Sequence, residues 1–406
     1  MVSAQLPSEL RLHSPGKKRI LALDGGGVRG IVSIAFMKEM ETQLRQATGH
    51  KALVLSDVFD LVAGTSVGSM LATMVSLGKP VEEIEAKFLD LAPKIFSGRS
   101  TIFGQKRFEC GPLEQGVTEV VKDERLGSPL LRTGLAIVAK RVDSDSVWVI
   151  VNNSRMPFYN DGPGFDGNKH YRLSMLIRAS TSAPFLFKPT ELTIHTEASG
   201  KVVTGWFVDG GVTPHNNPSL LMLMMAALPS YKLNWTLSPK DLLLISVGTG
   251  LHRSRIDPKP KAASGLLRLL RGKLKDDINE AAFASRTLQA LISNNSMLVL
   301  KLMQSLSKPR FSWSINSEIG NIHEEMILSS LSGYAKDGRG GLRFQRYDLP
   351  LETGGLVSAA YDIDATNPER AALVAIDNPD NIEKLFVLAT QAAKKQVSIV
   401  DFDGFI

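Results

Sequence analysis

The chain has 406 residues, 43% hydrophobic and 22% charged, and a formal net charge of +6. That is long enough for one large domain or two ordinary ones, with the composition of a soluble globular protein. The single cysteine, Cys110, excludes an intramolecular disulfide and points to a reducing compartment. No apolar run approaches the roughly 20 residues of a membrane-spanning helix, so membrane contact is expected to be peripheral. The positive balance suits an anionic surface or ligand, and equally a slightly basic soluble protein.

Residues 1–17 read as a polar arm without an apolar signal core, which predicts a cytoplasmic location. From there to Gly250, short apolar runs alternate with helical patterns. Strands are expected at Arg19–Leu23, Asp60–Ala63, Leu135–Lys140, Val147–Val151, Trp206–Val208 and Leu242–Val247. Helices are expected at Ile31–Gln46, Ser66–Leu77, Val81–Ile95, Leu173–Ser180 and Pro218–Leu228. Such alternation predicts an α/β fold, a mainly parallel sheet covered by helices. The glycine- and proline-rich stretch Asn160–Asn168 reads as a surface loop. After Gly250 the chain turns basic and proline-punctuated (His252 to Lys275), and further helices are expected at Asp276–Gln304, Pro368–Ala375 and Ile382–Ser398. The expected organisation is an arm (1–17), a catalytic core (18–250) and a mostly helical elaboration packed on the same domain (251–406). Within His252–Lys275, basic residues alternate with Leu266, Leu267, Leu269 and Leu270. That pattern suits either a bilayer interface or a solvated loop.

Three stretches carry candidate chemistry. In RILALDGGGVRG, residues Gly25, Gly27 and Gly30 fit G-x-G-x-x-G between a strand and a helix. Glycines let backbone N–H groups face an anion, and the following helix offers its positive end. The loop alone does not say whether that anion is a nucleotide phosphate or the oxyanion of a reaction intermediate. In FDLVAGTSVGSMLATMV, Gly64, Ser66 and Gly68 form G-x-S-x-G after an apolar strand and before an amphipathic helix, the context of a nucleophile elbow. Side chains at positions 64 and 68 would collide across the sharp turn that exposes the Ser66 hydroxyl.

That hydroxyl needs a base. Of the seven histidines, His13 and His50 lie in polar segments ahead of the elbow. His170, His195, His252 and His323 sit in loop-like or helix-start contexts with no acidic partner evident. In GWFVDGGVTPHNNPSLLM, Asp209 ends an apolar strand and could take the serine proton directly, or merely open a turn. His215, a few residues on, is the rival base.

In this order, DGGGVRG, GTSVG and DGGVTPHNNP resemble the patatin-like phospholipase family. IRASTSAPFLFKP (Ile177 to Pro189) and LLLISVGTG (Leu242 to Gly250) look like further family segments, so the resemblance runs from Lys18 to Gly250. The C-terminal third resembles the family only loosely. The resemblance implies a three-layer α/β sandwich with helices on both faces of the sheet, and a serine–aspartate dyad with no catalytic histidine. By position, the nucleophile is Ser66 and the base Asp209, in an elbow bounded by Gly64 and Gly68. The oxyanion hole is the loop of Gly25, Gly26 and Gly27, with Arg29 as the loop's arginine.

The implied reaction is hydrolysis of membrane glycerophospholipid esters through an acyl-enzyme, without metal or cofactor. The implied partner is a phospholipid surface, contacted peripherally at the inner membrane; nucleic acid is not expected. Some bacterial members of the family are antiphage effectors switched on by a cyclic nucleotide. A cyclic dinucleotide activator and a homo-oligomeric active state are therefore carried as options. The alternatives are a Rossmann-type nucleotide-binding protein and a non-catalytic lipid-binding module.

Overall fold

The computed structural model describes residues 8–97, 99–102, 105–252, 273–307, 309–310, 313, 315–317, 320–322, 341–351 and 373–406. The first apolar run forms strand β1 (Lys18–Leu23), buried along almost its whole length, as expected of a parallel strand covered on both faces. It is joined by β2 (Leu61–Thr65), β3 (Gly134–Arg141), β4 (Ser146–Val151), β5 (Thr190–Thr196), β6 (Val202–Asp209), β7 (Leu242–Val247) and β8 (Arg343–Tyr347) in one eight-stranded sheet. Strands β8, β7, β1, β2 and β3 run parallel in that order. Strands β4 and β6 both pair antiparallel with β3, and β5 pairs antiparallel with β6.

Strand period decides which helices cover which face. Leu21, Leu23, Val62, Ile137 and Ile245 point into one apolar layer; Ile20, Ala22, Ala63, Val138 and Leu244 point into the other. Helix α1 (Ser8–His13) contributes Leu12 to the second layer. The first layer is built from α2 (Gly30–Thr48), α3 (Val67–Ser76), α4 (Val81–Ile95), α5 (Cys110–Val121) and α6 (Leu173–Ser180). Helices α7 (Ser219–Ala227) and α8 (Lys273–Ser305) belong to the second, and α9 (Ile382–Gln396) returns to the first. The result is the three-layer α/β sandwich. Helix α2 stops where the next residue, Gly49, takes a left-handed φ of 69°.

The register around β3 positions the site. Leu61–Thr65 of β2 pair with Gly134–Val138, while Phe207–Asp209 of β6 pair with Arg141–Ala139. Strand β4 takes the other edge of β3 over Ala136–Arg141. Strands β2 and β6 therefore share one edge, and their C-terminal ends meet head-on. Thr65 lies opposite Val138 and Asp209 opposite Ala139.

Most expected elements form within a few residues of their expected limits. Helix α5 does not show in the pattern because it carries Gly111, Pro112 and Gly116. Gly116 is where α5 crosses α4 closely: a Cβ there would come within 2.6 Å of Leu91 Cδ2. Strand β5 (TELTIHT) is half polar, since it lies at the sheet edge. The part beyond Gly250, expected to be mostly helical, also supplies a strand. Helices α8 and α9 are there, but β8 extends the sheet beside β7 while burying Gln345 and Arg346. Most of the basic stretch His252–Lys275, most of the expected helix Pro368–Ala375 and His323 lie outside the described residues.

Candidate active site

Ser66 stands between the end of β2 and the start of α3 with φ 55° and ψ −128°, a conformation that strains any residue but glycine. The turn is tight enough that a Cβ at position 64 would lie 2.0 Å from the Gly68 carbonyl oxygen. Gly68 is bare for a different reason from the one expected. A Cβ there would meet the Leu23 carbonyl oxygen at 2.3 Å, so it is β1, not residue 64, that excludes a side chain. The Ser66 hydroxyl donates to Asp209 Oδ2 at 2.6 Å. The other carboxylate oxygen, Oδ1, accepts the Gly211 amide at 2.7 Å. Burial pushes the Asp209 carboxyl up to about 6, and the hydrogen bonds from Ser66 and Gly211 oppose the shift.

The end of α6 and the residues after it lock this pair. The Ser180 hydroxyl accepts the Ser66 amide at 2.9 Å and donates to the Val138 carbonyl at 2.6 Å. The Ser182 carbonyl accepts the Asp209 amide at 3.0 Å. Arg178, only 3% exposed, holds the Ser182 hydroxyl at 2.6 Å. IRASTSAP is thus a bracket for both members of the pair, a role the sequence signalled only as a motif.

The glycine loop lines the same cavity as Ser66 and Asp209. Its three leading glycines are not equivalent. The Gly25 amide donates to the Asn216 carbonyl at 3.1 Å, which corrects its expected place among the anion-facing donors. No acceptor among the described residues takes the Gly26 or Gly27 amide. Gly27 has φ 59° and lies against the Ile376 carbonyl, which a Cβ would approach to 2.1 Å. The Thr249 hydroxyl holds the Gly25 carbonyl at 2.8 Å. Arg29 is 7% exposed. A guanidinium has no acceptor atom, so Arg29 Nη1 donates to His252 Nδ1 at 3.0 Å and the imidazole is neutral on that side. Burial, reinforced by Arg29, pushes His252 down to about 3. Arg29 Nε has no partner among the described residues.

His215 does not reach the pair. Its carbonyl accepts the Thr65 hydroxyl at 2.7 Å, its ring Nδ1 is buried without a partner among the described residues, and it does not line the cavity. Two of the four histidines expected to lack an acidic partner have one. His195 Nδ1 lies 3.0 Å from Asp166 Oδ1, and His170 pairs with Asp161. Neither lines the cavity. Among the described residues no group of three or more His, Cys, Asp or Glu is placed to hold a metal ion.

The cavity itself is about 180 Å³. Its polar end is Ser66, Asp209 and the glycine loop, with Asp24, Arg29, His252, Arg346 and Asp348 also on the lining. Away from them the walls are apolar: Phe88, Leu91, Ile95, Phe96, Leu113 and Phe187. Helix α8 adds Leu288 and Ile292. Phe185, also on the wall, has φ 69°, a second strained residue at the site.

The structure is thus an α/β protein in which a hydroxyl on a strained strand–helix elbow is bonded to a buried carboxylate at the polar end of a largely apolar cavity. The chain belongs to the patatin-like phospholipase family, whose model matches residues 21–223. It is 28% identical over 239 residues to patatin group M-1 of Solanum tuberosum, covering 57% of this chain and 60% of that protein. It is also 28% identical over 237 residues to the cGAMP-activated phospholipase of Escherichia coli (strain TW11681), covering 57% and 62%. The chain thus spans about three fifths of the curated relatives it matches. The crystal structure of VipD from Legionella pneumophila matches with a TM-score of 0.32 at 11% identity over 95% of this chain and 68% of that one, a likeness too slight to argue from.

Proposed function

We propose that the protein hydrolyses acyl esters of membrane glycerophospholipids with Ser66 as nucleophile and Asp209 as its base. One observation carries this: the 2.6 Å hydrogen bond from Ser66 Oγ to Asp209 Oδ2 at the polar end of an apolar cavity. Ser66 Oγ bonds to the ester carbonyl carbon while its proton passes to Asp209 Oδ2. The carbonyl oxygen becomes an oxyanion facing the amides of Gly26 and Gly27, with the positive end of α3 beneath it. Asp209 returns the proton to the leaving lysolipid oxygen as the C–O bond breaks. Water, deprotonated by Asp209, then cleaves the acyl-Ser66 ester and restores both groups. The apolar walls receive the acyl chain. Arg29 sets the charge beside the loop.

No described helix is long and apolar enough to cross a membrane, and the reading places the protein peripherally on the cytoplasmic side of its substrate bilayer. The catalytic unit of this reading is the 18–250 core together with β8. The test is mass spectrometry of products from mixed phospholipid vesicles. Wild type releases free fatty acid and lysolipid, and Ser66→Ala releases neither. Release by Ser66→Ala at the wild-type rate refutes the assignment.

A regulatory extension rests on the E. coli relative named as cGAMP-activated. An unrestrained phospholipase would attack its host's membrane, so activation by a cyclic dinucleotide, with self-association in the active state, fits an antiphage effector. Activation requires that the ligand prefer the active state. Hydrolysis assayed with and without cyclic dinucleotides decides it. Full activity without ligand, unaltered by any of them, returns the protein to a constitutive lipase.

A further inference from the structure

The C-terminal strand reaches the catalytic loop through one side chain. Arg346 on β8 is 3% exposed and lies 322 residues from its partner Asp24, the residue directly before Gly25. Its Nη1 donates to Asp24 Oδ1 at 3.0 Å and to the Ser246 hydroxyl at 2.7 Å. Its Nη2 donates to Asp24 Oδ2 and to Asp348 Oδ2, both at 2.6 Å. Asp348 in turn accepts the Gly250 and Leu349 amides at 2.8 Å, and its own backbone is clasped by Gln396 of α9. The fold leaves room for this network at Gly248, where a Cβ would come within 2.0 Å of Asp348 Oδ2 and 2.4 Å of Arg346 Nη2.

Two carboxylates and two guanidiniums, Asp24, Asp348, Arg346 and Arg29, gather beside the loop, where all four also line the cavity, and both carboxylates favour the charged form of Arg29. The buried Asp24 carboxylate cannot move without breaking a two-pronged ion pair. Asp24 is covalently joined to the loop whose Gly26 and Gly27 amides are unpaired among the described residues.

We propose that Arg346 is a positioning residue that holds the Gly26 and Gly27 amides in line with Ser66, so that β8 completes the catalytic site. The inference rests on the serine-hydrolase reading above. A lysine keeps the charge at position 346 but cannot span Asp24, Asp348 and Ser246 at once. In Arg346→Lys, kcat on a soluble ester such as 4-nitrophenyl butyrate falls about 10- to 100-fold while KM stays within about twofold, because a displaced donor acts on the transition state. The acid limb set by Asp209 stays in place. Amide hydrogen exchange of the Asp24–Gly30 peptide speeds up.

The control is Arg310→Lys. Arg310 forks onto Asp401 in a part-buried pair that does not line the cavity. That variant loses less thermal stability, because the Arg310 side chain is 39% exposed, and keeps wild-type kcat. Asp348→Asn, which weakens the clamp while keeping its shape, shows the same split in smaller degree and serves if Arg346→Lys does not fold. Wild-type kcat and wild-type loop exchange in a folded Arg346→Lys overturn the proposal, as does an equal fall of kcat in Arg310→Lys. If the wild-type protein cleaves no ester, the hydrolase reading fails. Loop exchange then decides the clamp alone: faster in Arg346→Lys supports it, unchanged overturns it.

Discussion

Replacing Asp209 by asparagine is expected to remove activity and, at neutral pH, to stabilise the fold. The carboxyl is 5% exposed, and burial raises it from 3.8 to about 6 in the folded chain. At pH 7 it must be ionised where ionisation is unfavourable. A shift of about 2 units corresponds to about 3 kcal/mol of destabilisation by the ionised form. The sign follows from proton uptake. Between the ordinary value and about 6 the folded state binds more protons than the unfolded one, so stability falls as pH rises through that window.

Asparagine keeps the shape and still accepts the Gly211 amide, while its NH2 can donate to Ser66 Oγ. Asp209→Asn should therefore resist urea better than wild type at pH 8 by up to about 3 kcal/mol, and the advantage should shrink toward zero near pH 4. Its turnover should drop about 100- to 10,000-fold, the range for losing a general base. Wild-type hydrolysis should rise with pH through about 6, as the base loses its proton. The assays are urea titrations of both proteins from pH 8 downward and initial rates on a soluble ester. Equal stability at pH 8, or an advantage that does not change with pH, would refute the picture of a strained, ionised base.

Ser66→Gly should stabilise the chain by about 1 kcal/mol, because glycine accepts positive φ freely, while hydrolysis stops; a lower denaturation midpoint would argue against strain at the elbow. His215→Ala should retain turnover within about threefold, since its ring touches neither member of the pair. A variant as slow as Ser66→Ala would install a histidine-based triad instead. Leu113→Trp should lower kcat/KM for long-chain esters more than for 4-nitrophenyl acetate, because Leu113 lines the apolar part of the cavity. Equal losses on both esters would show that the acyl chain lies elsewhere.

The elbow was legible because it is local. Gly64, Ser66 and Gly68 fall within five residues, and strand, turn and helix each have their own pattern. The glycine loop was legible as a loop, and the alternation of apolar runs and helical patterns as an α/β sheet. None of these patterns says that Ser66 and Asp209 meet. That follows from β2 and β6 docking end to end on one edge of β3, so that residues 143 apart become hydrogen-bonded. The patatin resemblance anticipated the pairing without supplying this reason.

Which loop amides lack an acceptor among the described residues was likewise a tertiary matter, because the Gly25 partner comes from Asn216. The contribution of the C-terminal third was the least visible. No strand was expected at RFQRY, and buried arginine is rare unless paired. Only the fold brings Asp24 and Asp348 to Arg346. Local sequence determined the turns and helices that short-range sterics and hydrophobic period control. The tertiary structure decided every contact that joins charges from distant strands, because such pairs are stable only where the surrounding packing excludes water and aligns both partners.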